Sequence, residues 1–298
     1  MRDDDLRPSD NIEDRRGMGG GGGFGGGFPG GRGGLGIGTI IGLGLLGWVL
    51  GINPLVLIEG AQMVAGGGGG QPGMTAPPGR TGAPADQTGN FVARVLGETE
   101  DVWSEVLPSQ TNRDYVPPKL VLFSGATPSA CGTAQAATGP FYCPIDRKVY
   151  LDTAFFQDMK QRLGGGGDFA YAYVIAHEVG HHVQNLLGVL PKVQAAQRAA
   201  SSKAEANEYS VRTELMADCL AGVWAYWMNR RHANIDETDV RQAVSTAGAI
   251  GDDRLQKQAR GYAVPDSFTH GSAEQRVRWL TAGLKGGSVS ACDTFRDR

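Results

Sequence analysis

Apolar residues recur at helical spacing along most of the second half of the chain. The segment "DFAYAYVIAHEVGHHVQNLL", residues 168–187, is largely apolar before its histidines, which predicts a buried helix capped by Asp168. One long helix is predicted from about residue 192 to residue 229. The same spacing predicts shorter helices in "NFVARVLGETEDVWSEVL", "DTAFFQDMKQRL", "DETDVRQAVSTAG" and "SAEQRVRWLTAGL".

Two short segments have the composition of β-strands. "KLVLFSG" and "RKVYLD" are rich in Val, Leu, Phe and Tyr and are bounded by turn residues. They precede most of the helices, so the sequence predicts an α+β domain that is mainly helical with a small β-sheet. Because peptidases often hold substrates by strand addition, we also expect "KVYLD" to be an edge strand along which a substrate lies.

A different apolar pattern is the uncharged run of 24 residues "LGIGTIIGLGLLGWVLGINPLVLI", residues 35–58. At ~1.5 Å per residue, a helix of this length is about 36 Å long and can cross a ~30 Å hydrocarbon layer. We predict a single transmembrane helix; a cleaved signal sequence is the alternative that remains open. Five arginines precede the run and only Arg80 follows it closely, so the positive-inside rule places the N-terminus in the cytoplasm and the domain outside.

The 47 glycines indicate where the globular part begins. They are concentrated in tracts on both sides of the apolar run, and such tracts cannot bury a core. We therefore predict a disordered cytoplasmic N-terminus at residues 1–34, the transmembrane helix at 35–58, a flexible Gly/Pro-rich linker at 59–89 and one globular domain at 90–298. The net charge of −3 argues against a nucleic-acid partner.

All four cysteines lie after the apolar run, in the part predicted to be exported. An even number of cysteines in an oxidising compartment favours disulfides, and three pairings are possible. We favour Cys131–Cys143, which would close a hairpin around a Gly-rich turn, together with Cys219–Cys292, which would tie the C-terminal tail to a helix. The chain has no C-x-x-C pair, which argues against a zinc ribbon.

The helix predicted at residues 168–187 also carries a metal-binding pattern. His177, Glu178 and His181 form an H-E-x-x-H motif, whose two histidines are four residues apart and share one helical face. Two imidazoles at that spacing can bind one Zn²⁺, and Glu178 can act beside the metal as a general base. Burying these polar groups is unfavourable unless they are paired or bind a metal. A zinc site is therefore predicted, and separately paired core histidines are the alternative.

A second helix offers the ligand that such a site needs. In "RTELMADCLAGVWAYW", Glu214 and Asp218 are four residues apart among apolar positions. We predict that Glu214 is the third zinc ligand and that Asp218 accepts the outer N–H of a ligand histidine; the alternative is that both carboxylates face solvent. His182 points about 100° away from its neighbour His181 on the helix, so we expect it to pack rather than to bind metal.

H-E-x-x-H followed by E-x-x-x-D on a second helix resembles the gluzincin class of zinc metallopeptidases. The segments "GPFYCPIDRKVYLD", "AHEVGHHVQ", "RTELMADCLAGVW" and "SFTHGSAEQRVRW" resemble a bacterial family of neutral zinc metallopeptidases over about residues 90–298. The resemblance implies a zincin-like metallopeptidase fold, Zn²⁺ as cofactor, and a glycine-rich N-terminus with one membrane span.

The segment "DSFTHGSAEQRVRW" places His270 before a helix and Arg276 on it. A similar placement in the CAAX-protease-like zinc peptidases implies that this pair lies in the active site. We predict that His270 donates to the carbonyl oxygen on which negative charge develops; a surface histidine near a helix cap is the alternative. Arg276 is either a second donor or a structural partner of Glu214 or Asp218.

These residues together predict a membrane-anchored zinc metalloendopeptidase that hydrolyses peptide bonds in a peptide or protein substrate. The anchor would be residues 35–58, and the catalytic domain would lie in the periplasm or at the cell surface. Two other functions stay open. One is a catalytically silent envelope module that binds zinc for stability, and the other is hydrolysis of an acyl or amide bond outside proteins.

Overall fold

The computed structural model describes residues 1–17, 79–135, 139–162 and 166–296. The helices in these ranges are α1 (Gln87–Gln110), α2 (Phe155–Arg162), α3 (Asp168–Leu186), α4 (Val189–Ala199), α5 (Lys203–His232), α6 (Glu237–Ala249), α7 (Asp252–Arg260) and α8 (Ala273–Gly286). The strands are β1 (Ile12–Asp14), β2 (Arg80–Thr81), β3 (Lys119–Phe123), β4 (Ala126–Ser129), β5 (Gly132–Gln135), β6 (Phe141–Cys143) and β7 (Lys148–Asp152). The prediction of a mainly helical α+β domain is confirmed.

The main sheet has the strand order β2-β1-β3-β7-β6. The strand β3 pairs parallel with both β1 and β7, and the register sets Leu120 beside Ile12 and Val149, all of which are buried. The strand "KVYLD" is β7 and lies between β3 and β6. The prediction that it forms an edge is therefore wrong, and in the described sheet β6 is the edge strand on that side.

Helix α3 lies in the middle of the main core. It contacts α1, α5 and α6, and its apolar residues before the H-E-x-x-H motif are almost all buried. Trp103 of α1 and Trp224 of α5 are the largest fully buried side chains and belong to the same core. Fully burying one large apolar side chain is worth about 1.5–3 kcal/mol, so this packing fixes α3 firmly between its neighbours.

Two glycine contacts allow α5 to approach its neighbours closely. A Cβ atom on Gly180 would lie 3.0 Å from the carbonyl oxygen of Ala217, so α3 and α5 meet within the H-E-x-x-H turn. On the opposite side, a Cβ atom on Gly283 of α8 would collide with the carbonyl oxygen of Cys219. The absence of side chains at both points brings α3, α5 and α8 into one layer, and all three helices carry predicted site residues.

The long helix predicted over residues 192–229 is two helices in the structure. Helix α4 ends at Ala199, and α5 begins at Lys203 with Ser202 as its N-cap, whose side chain accepts from the backbone N–H of Glu205. Serine side chains compete with helical hydrogen bonds and favour caps, which accounts for the break. The break allows α4 to form a wall beside the segment of α5 that carries Glu214.

Residues 1–17 are part of the fold. Strand β1 is paired on both sides, and its Glu13 accepts from Lys148 Nζ and Arg15 Nε at 2.8 Å each. Burial alone would raise the pKa of Glu13, but these two hydrogen bonds lower it to about 2. The prediction of a disordered N-terminus is therefore wrong for residues 1–17, and the predicted domain start at residue 90 is wrong as well. Because β1 has only three residues and pairs with a distant strand, no local pattern reveals it.

The two ends of the segment 18–78 are attached to one sheet. The backbone N–H of Gly79 donates to Glu13 of β1 at 3.3 Å, and β1 pairs directly with β3. A single membrane crossing between these ends would put β1 and β3 on opposite sides. The predicted arrangement, a cytoplasmic N-terminus with an external domain, is therefore wrong for this fold. The predicted transmembrane helix at 35–58 lies outside the described residues, among which no helix is long and apolar enough to cross a membrane.

Both favoured disulfides are present. Cys131–Cys143 joins the β4–β5 turn to β6, and Cys219–Cys292 ties the C-terminal tail to α5. The pairings are confirmed, but the hairpin predicted around the first bridge is wrong, because β5 pairs with β4 and β6 pairs with β7. Two disulfides are typical of a protein that folds outside the cytoplasm, which agrees with the expected extracytoplasmic location of the domain.

Candidate metal centre

Helices α3 and α5 bring the three predicted zinc ligands together. One donor atom from each of His177, His181 and Glu214 lies within 4.8 Å of the other two. Glu214 Oε2 is 3.1 Å from His177 Nε2, and Glu214 Oε1 is 3.5 Å from His181 Nε2. Donor atoms bound at 2.0–2.1 Å to a tetrahedral Zn²⁺ are roughly 3.3 Å apart. The two His–Glu separations are close to this value, so the three side chains are candidates to hold one zinc ion.

Asp218 holds the ring of His177. His177 Nδ1 lies 2.9 Å from Asp218 Oδ1, and since a carboxylate only accepts, Nδ1 carries a proton. The other ring nitrogen, Nε2, faces Glu214 and is the one that a metal could take. Asp218 Oδ1 also accepts from the Tyr173 hydroxyl at 2.6 Å, and Arg276 donates to both carboxylate oxygens at 2.9 Å. Burial alone would raise the pKa of Asp218, but Arg276 and His177 lower it to about 2. Asp218 is therefore an ionised acceptor, in the place predicted for it.

Two roles were predicted for Arg276, a second donor to substrate or a structural partner of Glu214 or Asp218. The structure shows it paired with Asp218. Its side chain is only 4% exposed and forms a bidentate pair with Asp218. Its Nη2 also lies 3.3 Å from the hydroxyl of Tyr173. Arg276 thereby fixes Asp218, which accepts the Nδ1–H of His177.

Gln184 gives His181 the same kind of support. Gln184 Nε2 donates to the backbone carbonyl of Thr213 at 2.6 Å, which leaves Oε1 to face His181 Nδ1 at 3.0 Å. His181 Nδ1 is therefore the protonated nitrogen, and its Nε2 is left for a metal. Sequence reasoning missed Gln184, although a residue three positions after His181 lies on the same helical face. It also missed Tyr173, which lies four positions before His177.

His182 is held away from the three ligands. Its Nε2 donates to the backbone carbonyl of Val116 at 2.6 Å, and its Nδ1 lies 3.0 Å from the Tyr142 hydroxyl. Burial lowers the pKa of His182 to about 4, so the ring is neutral at physiological pH. The prediction that His182 packs rather than binds metal is confirmed.

Glu178 is buried beside the ligands, with 7% of its surface exposed. Burial raises the pKa of its carboxyl group above the usual range, against the opposing effect of the nearby His177 and His181. A carboxyl group in such surroundings can both accept and return a proton, which are the two actions of a general base and acid. The role of Glu178 as a general base stays a prediction.

His270 is close enough to Glu214 for the two groups to affect each other's pKa. The adjacent Gly271 packs on α5, where a Cβ atom would lie 3.2 Å from the side chain of Leu215. His270 Nδ1 is 3.3 Å from Asp252 Oδ1, and the other carboxylate oxygen accepts the backbone N–H groups of His270 and Gly271. Burial alone would lower the pKa of His270, but Asp252 and then Glu214 raise it. With 37% of its side chain exposed, His270 is neither a surface residue nor fully enclosed. Sequence reasoning missed Asp252.

Comparisons with known proteins agree with this geometry. The family described as "Putative neutral zinc metallopeptidase" matches residues 1–295. "Uncharacterized protein YpfJ" of Escherichia coli K12 is 44% identical over 299 aligned positions, with 99% of each chain covered. "Uncharacterized protein Rv2575" of Mycobacterium tuberculosis H37Rv is 44% identical over 236 positions, or 75% of this chain and 76% of the relative.

No solved structure matches the chain, so the zincin-like fold stays a prediction. The family match, in contrast, begins at residue 1 and so includes β1, which sequence reasoning had assigned to a disordered tail. It also spans all three residues whose donor atoms converge. On this match the chain belongs to the family described as "Putative neutral zinc metallopeptidase".

Proposed function

We propose that the protein is a zinc-dependent endopeptidase. The observation that carries the proposal is the convergence of His177, His181 and Glu214 on one point, with Glu178 on the same helix as the two histidines. Zinc sites with three protein ligands are typical of catalysis, whereas structural zinc sites are usually closed by four. A zinc ion bound there would polarise the scissile carbonyl and lower the pKa of a water molecule.

Side chains of the protein carry out the proton transfers and orient the histidine rings. Glu178 takes the proton of the attacking water and returns it to the leaving amine, so that one carboxyl group serves both half-reactions. Asp218 and Gln184 keep the histidine rings in the tautomer that leaves Nε2 unprotonated. Because α3 is fixed in the core, these groups need little rearrangement when a substrate binds.

We assign to His270 the stabilisation of the developing oxyanion. Its Nδ1 faces the Thr269 hydroxyl at 3.0 Å and Asp252 Oδ1 at 3.3 Å, which leaves Nε2 as the nitrogen that can donate to substrate. Its position beside Glu214 supports this role, as does the raised pKa, which favours the donor form of the ring. A well-placed donor of this kind contributes on the order of 3 kcal/mol to transition-state stabilisation.

Metal analysis of the purified protein tests the ligand set. We expect one zinc per chain in the wild type, and we expect His181→Ala to weaken zinc binding by more than about 100-fold, since losing a ligand's outer partner alone costs 10–100-fold. His182→Gln is the matched control, because it changes the adjacent histidine, and it should keep one zinc per chain. Full zinc occupancy in His181→Ala would exclude this ligand set. A wild type that binds one zinc but cleaves no peptide would favour the silent zinc module.

We further propose that residues 1–17 and 79–296 lie together outside the cytoplasm. The pairing of β1 with β3 supports a common side, and the two disulfides support an oxidising compartment. Residues 35–58 stay the predicted membrane attachment.

Cysteine labelling in intact cells tests this arrangement. Asp4, whose side chain is 89% exposed, and Lys285, which is also exposed, are each replaced by Cys. A membrane-impermeant maleimide should label both variants without permeabilisation, and detergent-treated cells give the reference level. If only the Lys285→Cys variant is labelled, the N-terminus is cytoplasmic and the domain external, and our proposal is wrong.

A further inference from the structure

An open cleft of about 360 Å³ lies beside Glu214. Its walls come from four parts of the fold: the end of α3, α4 with Leu190 and Val193, α5 with Thr213, and the turn between β6 and β7 with Ile145. A volume of this size falls in the range of about 300–1,000 Å³ that is typical of ligand-binding sites. Since Glu214 is both a wall residue and a predicted zinc ligand, a group that occupies the cleft lies next to the reacting bond.

Several polar side chains of the cleft are already bonded within the protein. Gln197 Nε2 donates to Ser210 Oγ at 2.8 Å, and Asn185 Nδ2 donates to the Tyr142 hydroxyl at 3.0 Å. The hydroxyl of Thr213 donates at 2.8 Å to a backbone carbonyl of its own helix. Apolar side chains therefore make up much of the surface that is left for a ligand.

The cleft contains few charged groups that could pair with a charged substrate side chain. Glu214 is the one charged residue among those that line it in the described part of the chain, and its oxygens face His177 and His181. In the zinc-loaded protein the Glu214 carboxylate would be committed to the metal, so it is not free to pair with a basic substrate side chain. An acidic side chain would meet no Lys or Arg among the described residues that line the cleft.

Ile145 marks the mouth of the cleft. It is 70% exposed, which makes it the most exposed of the large hydrophobic side chains in the described ranges. A single exposed apolar residue is ordinary. This one, however, stands on a turn that faces α4 across the cleft, where a bound apolar side chain would cover it.

We infer that this cleft selects the substrate: it binds an uncharged, apolar side chain of a residue next to the scissile bond, and Ile145 and Leu190 determine that specificity. The inference rests on the proposed function, because only a metal held by Glu214 relates the cleft to a scissile bond. It adds the class of substrate, namely peptides with a large aliphatic or aromatic residue at one position beside the cleaved bond.

Binding of peptide hydroxamates to the full-length, zinc-loaded protein tests the inference independently of turnover. Three probes carry a Leu, Lys or Glu side chain beside the hydroxamate, and their affinities are measured by calorimetry. We expect the Leu probe to bind at least about tenfold more tightly than the other two, since even one methylene in an apolar pocket is worth about 10–200-fold. Equal affinities, or tighter binding of the Lys or Glu probe, would overturn the inference.

Charge-introducing variants locate the selection. In Ile145→Glu, the Leu probe should lose about tenfold in affinity and the Lys probe should gain, because the new carboxylate lies at the mouth of the cleft. Val264→Glu is the matched control, since Val264 is also an exposed hydrophobic residue but does not line the cleft, and its affinities should match the wild type. If the relative affinities of the three probes in Ile145→Glu are those of the wild type, Ile145 does not determine the specificity.

The outcomes separate this inference from the proposed function. Tight binding of the Leu probe without cleavage of any peptide would refute the peptidase and leave the cleft assignment standing. Cleavage of peptides without an apolar preference at either flanking position would refute the cleft assignment alone. Failure of all three probes to bind would contradict both, because the zinc position on which they depend would then be wrong.

Discussion

Replacing Glu178 by Gln is expected to abolish peptide hydrolysis while the protein keeps its full zinc content. Gln has nearly the same shape but cannot accept the proton of the attacking water, and loss of a general base typically lowers the rate by about 10²–10⁴-fold. Zinc should be retained because the donor atoms that converge belong to His177, His181 and Glu214 and not to Glu178. The measurement pairs kcat on a cleaved peptide with metal analysis of the same preparation.

The same substitution at an exposed glutamate provides the control. Glu274 lies on the surface of the first turn of α8, and Glu274→Gln should leave both kcat and zinc content at the wild-type level. Turnover of Glu178→Gln at the rate of the wild type would show that another group acts as the base. Loss of zinc from this variant would show that Glu178 belongs to the ligand set.

Replacing Arg276 by Met is expected to destabilise the fold by about 3–5 kcal/mol, the usual cost of removing one partner from a buried ion pair. Asp218 would keep a buried negative charge with neither of the two bonds that Arg276 now donates. The ring of His177 would lose the rigid support of its acceptor, so zinc affinity should also fall, by about 10–100-fold. Urea unfolding of the metal-free protein and a competitive zinc titration measure the two effects separately.

Arg278 provides a matched control on the same helix. Its side chain is exposed and lies over the ring of Trp279, so Arg278→Met should change stability by no more than about 0.5 kcal/mol and leave zinc affinity unchanged. In a double-mutant cycle, Asp218→Asn combined with Arg276→Met should cost less than the sum of the single changes, because each single change breaks the same pair. Equal destabilisation by Arg276→Met and Arg278→Met would show that the buried pair does not support the site.

Local patterns were enough to predict which side chains converge at the candidate metal centre and that Asp218 accepts from His177. His177 and His181 share a helical face by spacing alone, and Glu214 and Asp218 repeat that spacing on a second apolar helix. The structure brings the two pairs together because Gly180 lets α3 and α5 touch at that turn. Gln184, which sequence reasoning missed, is close to His181 by helical spacing. The carbonyl of Thr213 that fixes its amide lies on α5, and this partner cannot be read from local spacing.

The largest errors have a common physical origin, which is pairing between distant parts of the chain. Strand β1 has three residues and is stabilised by β3, more than 100 positions away, so its own composition carries almost no signal. The glycine tracts that follow it suggested a tail without structure. The same mistake led to the wrong membrane orientation, since the arginines of residues 1–17 were counted as cytoplasmic charges although Arg15 and Arg16 form ion pairs within the fold.

Metal-dependent cleavage is the most direct test of the proposed peptidase. The full-length protein is stripped with a chelator, reloaded with one equivalent of zinc per chain, and incubated in both states with a mixed peptide library whose products are identified by mass spectrometry. We predict no cleavage by the stripped protein and cleavage at internal peptide bonds after reloading. Cleavage that is the same in both states, or a protein that binds one zinc and cleaves nothing, would contradict the assignment of a zinc endopeptidase.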